Sequence, residues 1–411
     1  MFIKRRLDVN FMLAIFYGLF IGSFIPGFAL SNFMLILFGI ASIFQCVKNK
    51  TIKFDKNYLP LIIFFLWTVC SVVWTIDHQQ TFKGIIKLIS FLLIPIFFSQ
   101  FPKIGNKNII VIFRTLSISL SIYFIICLFN SYQLYISDQN INHFFYHDLT
   151  SMYNNNAIYI STFTSFTLLS MINVSKKKFY DYILVFILLF YLILLSSKNI
   201  IFTTFFIQLM IVLFFNKNKK QKQIIVGSLL SMVVIFTAFV YIDSPLKERY
   251  LVESNTNFKE ILTKDFFNNY QFNGTNLRLL QLRMGIEMFL NNNVGFQGLG
   301  LSSAQGLLND YYLYYTVPQY LSYNFHNQYM QTSIELGIIG LFLLAFILVF
   351  SFIKSIKNYN IILFSFVLLM IFLFFTESFL NRQKGILFFV FIYSLLFKFQ
   401  SRNFSIKAKN D

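Results

Sequence analysis

The chain has 411 residues, of which 57% are hydrophobic and only 12% charged, where an ordinary soluble domain has about a quarter charged residues. Apolar runs of about 17 to 25 residues recur from end to end, each able to cross a hydrocarbon core roughly 30 Å thick, and this excludes a soluble globular fold. The net charge of +18 sits in short connections between those runs and forms no basic stripe on a folded domain, so nucleic-acid binding is excluded too.

The pattern predicts an all-α polytopic membrane protein with about twelve transmembrane helices. In chain order they fall near residues 9–25, 28–47, 58–75, 82–101, 109–136, 155–174, 179–196, 199–215, 223–242, 327–353, 360–376 and 383–400. The first run follows Lys4-Arg5-Arg6, lacks a small-residue cleavage site and flows through Pro26-Gly27 into the second, so no cleaved leader is expected. Cys46, Cys70 and Cys127 all lie inside apolar runs, which supports neither a disulfide framework nor a Cys-based metal site.

Lysines and arginines mark every second connection. Lys48, Lys50, Lys53 and Lys56 follow the second run, Lys103 and Lys107 the fourth, Lys176 to Lys178 the sixth, Lys217, Lys219, Lys220 and Lys222 the eighth, and Lys354 and Lys357 the tenth. By the positive-inside rule these connections and both termini are expected in the cytoplasm. The chain then divides into spans one to nine (1–242), one large outer loop (243–325), and spans ten to twelve with a cytoplasmic tail (326–411). An 80-residue loop (roughly) far exceeds what a helix hairpin needs. Its amphipathic LRLLQLRMGIEMFL and aromatic YYLYY segments predict short helices lying as a lid over the bundle.

Cations on the outer side run against the topology rule and therefore need a reason. Lys83 and Lys87 share one helix face; Lys198 lies in a tight outer turn; Arg278 and Arg283 lie in the large loop. Arg382 and Lys384 occupy the last outer turn. Snorkelling to lipid headgroups is one reading. The other is an outward-facing pocket for a polyanion such as a diphosphate, a role that the planar guanidinium fork suits. His326 stands at the head of the tenth run, where an imidazole could act as a general base or sit as an interfacial side chain. Glu335 and Glu377 are carboxylates within apolar surroundings, which usually face a bundle interior and have a partner. Gly337 and Gly340 fit close helix packing. His143 and His147 have i, i+4 spacing without an evident third ligand, so no metal site is expected. GFQGLG (295–300) lacks the strand–loop–helix setting of a phosphate loop and reads as a turn.

His326-Asn327 followed by Glu335-Leu-Gly-Ile-Ile-Gly-Leu341 resembles the signature of the O-antigen ligase and O-antigen polymerase superfamily. NLRLLQLRMGIEMFLNNNVGFQGLGL (276–301) resembles that family's outer-loop segment, Tyr153 to Asn156 its Asn-containing entry to a span, and Thr376-Glu377 its late Thr-Glu. Three departures stand out: Ser197-Lys198 replaces a Ser-Arg, the proline before the glycine turn is missing, with Asn293 nearby, and Asn324 occupies the place of a second His.

The resemblance implies a membrane glycosyltransferase of surface-polysaccharide biosynthesis in the bacterial inner membrane, working on its outer, periplasmic face. Its donor would be an undecaprenyl-diphosphate-linked oligosaccharide. A polymerase passes the glycan to another lipid-linked repeat unit; a ligase passes it to lipid A–core in lipopolysaccharide. A chain-length regulator is a further implied partner, and no cofactor or metal is implied. In that reading His326 deprotonates the acceptor hydroxyl for inverting attack. Arg278 and Lys198, with Lys83 or Lys87, stabilise the diphosphate, and Arg283 and Glu377 support the site. Asn327 or Glu335 orients the imidazole. A polysaccharide or solute transporter is the alternative from another class, but it predicts repeat symmetry and mid-membrane polar groups, and the sequence shows neither.

Overall fold

The computed structural model describes residues 9–153, 155–174, 177–215, 272–292 and 294–399, with isolated positions between 223 and 262. Most of the expected ninth span and of the segment 243–271, with Asn154 and Asn293, therefore lie outside the described residues. What is described is helical, and no strand occurs among the described residues. The helices are α1 (Val9–Gly22), α2 (Phe28–Asn49), α3 (Leu59–Cys70), α4 (His78–Leu88), α5 (Ser90–Gln100), α6 (Asn106–Asp138), α7 (Tyr146–Leu149) and α8 (Ala157–Asn173). They continue as α9 (Phe179–Leu194), α10 (Lys198–Phe214), α11 (Gly274–Asn291), α12 (Gln305–Tyr314), α13 (Gln328–Lys357), α14 (Ile361–Phe374) and α15 (Gln383–Lys398).

Among the described residues, five helical stretches are long and apolar enough to cross a membrane: α2, Lys56–Val73, His78–Gln100, α6 and α13. Five further helices, α1, α8, α9, α10 and α14, are apolar but shorter. The protein is thus a multi-pass membrane protein built of helices. The expected fourth span is made of two helices, α4 and α5, that meet at Ile89.

Position in the bundle decides helix composition. Every residue of α8 is buried, yet it carries Ser161, Thr162, Thr167 and Ser170. Each of these hydroxyls donates to the carbonyl four residues earlier, so none is left without a partner in apolar surroundings. By contrast α2 has only four buried residues and exposes Phe33, Ile36, Ile40 and Phe44, as a lipid-facing helix does.

Gly337 changes the reading of the tenth span. The sequence suggested a glycine that lets helices approach; in the structure its φ of 69° and ψ of −169° interrupt α13. Glycine tolerates that conformation because it has no Cβ. A break inside a span exposes backbone groups that hydrocarbon cannot satisfy, and here a loop supplies the partners. Leu299 N–H and Gly300 N–H donate to the carbonyls of Ile334 and Glu335, at 2.9 and 2.8 Å, and Trp67 Nε1 donates to Leu336 O at 3.0 Å. Beyond the break, Ile338 and Ile339 N–H donate to Gly295 O and Phe296 O. The GFQGLG segment is the plug. Gly298, at φ 76°, approaches so closely that a Cβ would lie 2.4 Å from Gly337 N.

Residues 272–325 form a small layer with its own apolar core, in which Leu280, Met284, Met288, Leu308, Tyr312 and Phe325 pack against Ile334 of α13. Asn273 caps α11 by accepting from Asn276 N–H, and Gly285 sits against Met330 of α13. These contacts hold α11 and the start of α13 together.

Candidate functional site

The site is built where α13 begins. Asn327 is the helix cap, its Oδ1 accepting from Met330 N–H at 3.0 Å. The preceding His326 adopts a left-handed backbone, φ 45°, and its N–H is held by Asn324 Oδ1 at 2.9 Å. Such conformations cost free energy in a residue with a Cβ and persist where surroundings impose them. This turn aims the imidazole at Glu377, with Nδ1 3.2 Å from Oε2. Glu377 is only 2% exposed, whereas the His326 side chain is 22% exposed. With the carboxylate as acceptor, Nδ1 carries the hydrogen and Nε2 is the basic nitrogen.

Glu377 is held in turn by a segment stitched on both sides. Asn327 Nδ2 donates to Phe375 O, Arg278 Nε to Thr376 O, and Asn327 N–H to Ser378 Oγ. Tyr159 Oη donates to Phe379 O, and Leu380 N–H donates to Gln328 Oε1 at 2.7 Å. Phe375, Thr376, Ser378, Phe379 and Leu380, on either side of the carboxylate, are thereby tied to α8, α11 or the start of α13. The carboxylate position is a product of three helices far apart in sequence.

A cavity of about 340 Å³ opens beside His326 and Asn327, and Arg278 and Lys198 also line it. Arg278 reaches it from the second turn of α11, with Nε on Thr376 O and Nη1 on Gly274 O, both at 3.1 Å. These partners are neutral carbonyls, so they orient the guanidinium and leave its charge in place. Lys198 is the first residue of α10, after the tight turn through Ser196. Neighbouring Asn199 donates to Thr376 Oγ1 at 2.6 Å, joining α10 to the same segment. Of nine non-glycine residues with positive φ among the described residues, Tyr146, Ser196 and His326 line this cavity. Strained backbone is characteristic of functional sites.

Four residues expected near the diphosphate or the imidazole lie elsewhere. Glu335 does not touch His326: nine residues further on, about two and a half helical turns, it comes out on the opposite side, at a separate, water-sized cavity of about 30 Å³ shared with Lys87. The carboxylate beside the imidazole is Glu377, 51 residues along the chain. Lys83 and Lys87 are exposed on α4 and line no part of the His326 cavity; Lys87 lines the smaller cavity with Glu335. Arg283 is used within the loop layer: Nε contacts Glu287 Oε1 at 2.9 Å and its guanidinium lies over the Tyr315 ring. Tyr315 also donates to Glu287 at 2.7 Å. Burial, and then the Glu287 carboxylate, push the Tyr315 phenol well above its ordinary range.

The two histidines of HFFYHD have separate partners. His143 pairs with Asp138 at 2.7 Å, and His147 Nδ1 accepts from Ala157 N–H at the start of α8. Lys384, one of the outer cations, is bound between Asn155 Oδ1 and Ile25 O.

Tyr146, Asn199 and Thr376 line the cavity without having been singled out for it. Nothing in their local sequence marks them; only the Thr376-Glu377 pairing gave a hint. Chemically, the arrangement offers two cations at one wall, a carboxylate-held imidazole at another, and room between them for a substrate. That suits release of an anionic leaving group next to deprotonation of a nucleophile.

Comparison with known families gives one finding: residues 183–345 match the family model described as O-antigen ligase. The matched stretch runs from α9 to the first half of α13 and so includes Lys198, Arg278 and His326. No curated protein matches the chain.

Proposed function

We propose, from the premise that residues 183–345 form a domain of the O-antigen ligase and polymerase superfamily, that this protein polymerises a surface polysaccharide. Its donor is an undecaprenyl-diphosphate-linked glycan and its acceptor a second lipid-linked repeat unit. The observation that carries this reading is the convergence of Arg278, Lys198 and the His326–Glu377 pair on one cavity. The active site faces the outside of the plasma membrane and both termini lie in the cytoplasm, as the lysine and arginine distribution supports.

His326 Nε2 takes the proton of the acceptor hydroxyl as its oxygen attacks the anomeric carbon. Glu377 stabilises the imidazolium that forms, and the proton later passes to solvent. The bond from the anomeric carbon to the diphosphate oxygen breaks, and its electron pair leaves with the lipid diphosphate. Arg278 and Lys198 stabilise that developing charge. A single displacement inverts the anomeric centre. Because two fixed cations serve the leaving group, chelation of divalent metals should leave the rate unchanged.

The family description favours a second reading, a ligase that moves the glycan to lipid A–core. Deleting the gene separates the two. Loss of the long glycan ladder with one repeat unit left on core supports the polymerase. Bare core with lipid-linked polymer accumulating supports the ligase, and an unchanged glycan removes both.

A further inference from the structure

Glu335 is the buried acid that the mechanism above leaves without a task. It is 5% exposed inside α13, and a carboxylate at that depth needs a function or a partner. The Ser302 backbone N–H and the Gln331 amide both donate to it, Gln331 Nε2 to Oε1 at 2.5 Å, and Lys87 lines the same cavity. An amide has one donating and one accepting end. Committing Nε2 to the carboxylate turns Gln331 Oε1 the other way, where Ser378 Oγ approaches to 3.5 Å. Ser378 is fully buried. With its hydrogen directed at Gln331, its lone pair accepts Asn327 N–H at 3.2 Å. The donors therefore run in one direction, from Asn327 through Ser378 and Gln331 to Glu335.

Ser378 follows Glu377 directly, and Asn327 follows His326. The chain thus grips the two residues adjoining the imidazole–carboxylate pair. We propose that Glu335 is a positioning residue for this pair: it fixes the Gln331 amide and through Ser378 holds Glu377 against His326. The inference rests on the catalytic reading of His326 but concerns a different role. Glu335 acts by accepting a hydrogen bond and takes up no proton during the reaction.

That distinction sets the test. Glu335→Gln can still present an acceptor oxygen to Gln331, whereas Glu335→Leu and Gln331→Leu cannot. Transfer from lipid-linked glycan is measured with purified full-length protein, alongside modification of His326 by diethyl pyrocarbonate across pH, followed by mass spectrometry. We expect Glu335→Gln to keep kcat within about threefold of wild type with an unmoved pH profile. Glu335→Leu and Gln331→Leu should lower kcat at least about tenfold with KM unchanged, and both should shift the pH dependence of His326 modification. Equal loss in Glu335→Gln and Glu335→Leu overturns the proposal in favour of proton transfer by Glu335. Wild-type kcat and wild-type His326 modification in Glu335→Leu overturn it outright. If the wild-type protein itself transfers no glycan, the functional reading fails, while the modification profile still decides whether Glu335 sets the environment of His326.

Discussion

Two arginines show how differently the two ends of the bundle treat charge. Arg114, in the early turns of α6, meets Asp181 at the start of α9 in a two-pronged pair of 2.7 and 2.6 Å. Asp181 is almost wholly buried there. Arg278, at the end where α9 gives way to Ser196 and Lys198, is oriented by two backbone carbonyls instead. The first arginine is neutralised and serves the fold. The second is aimed but kept positive, which is what an anion site requires. Fixing a cation with dipoles rather than with a carboxylate separates a binding site from a structural clamp.

Substitutions can break that contrast, and the largest effect belongs to the cavity. His326→Ala should lower glycan transfer by about a thousandfold, with normal insertion in the membrane, measured on purified protein with a lipid-linked donor. Arg278→Ala should cost about a hundredfold, and Arg278→Lys should recover only part of it because an ammonium cannot hold both carbonyls and still fork towards a phosphate. At the opposite end, Arg114→Ala should leave transfer per folded molecule unchanged while destabilising the protein by about 3 kcal/mol, since it strands the buried Asp181; a lowered thermal midpoint in detergent would show this. Loss of transfer without loss of stability in Arg114→Ala would erase the distinction between the two ends.

The smallest effect concerns the loop layer. The Tyr315 phenol is held protonated by burial and by Glu287, so its folded pKa lies above the unfolded value near 10. The stability this contributes is complete below about pH 10 and is lost as pH rises further. Tyr315→Phe should flatten the alkaline fall in stability, read from thermal midpoints between about pH 9 and 11, and leave transfer at neutral pH within about twofold.

The helical, multi-pass character and the family resemblance were legible in the sequence, because long apolar runs and the His326-Asn327 motif are local signals. What was not legible depends on distance. Glu377 and Glu335 look alike in sequence, two carboxylates in apolar company, and only the packing of the 375–380 segment on α13 shows which one meets the imidazole. Lys87 and Lys198 likewise both read as outer cations. The two flanks of α13 separate them, because Gln328 and Gln331 face one cavity while His326 and Asn327 face the other. Gly337 illustrates a third limit. A Gly-x-x-Gly step fits helix packing, and the break appears only when the loop that fills it is in place.

That filled break also bears on how the protein is made. The segment 295–300, which completes the hydrogen bonding of α13, precedes the helix on the chain, so the ribosome delivers the plug before the socket. Until the two meet, the break at Gly337 would present bare amides and carbonyls to lipid, at several kcal/mol for each group. Stable insertion of this span is therefore tied to the arrival of an earlier loop.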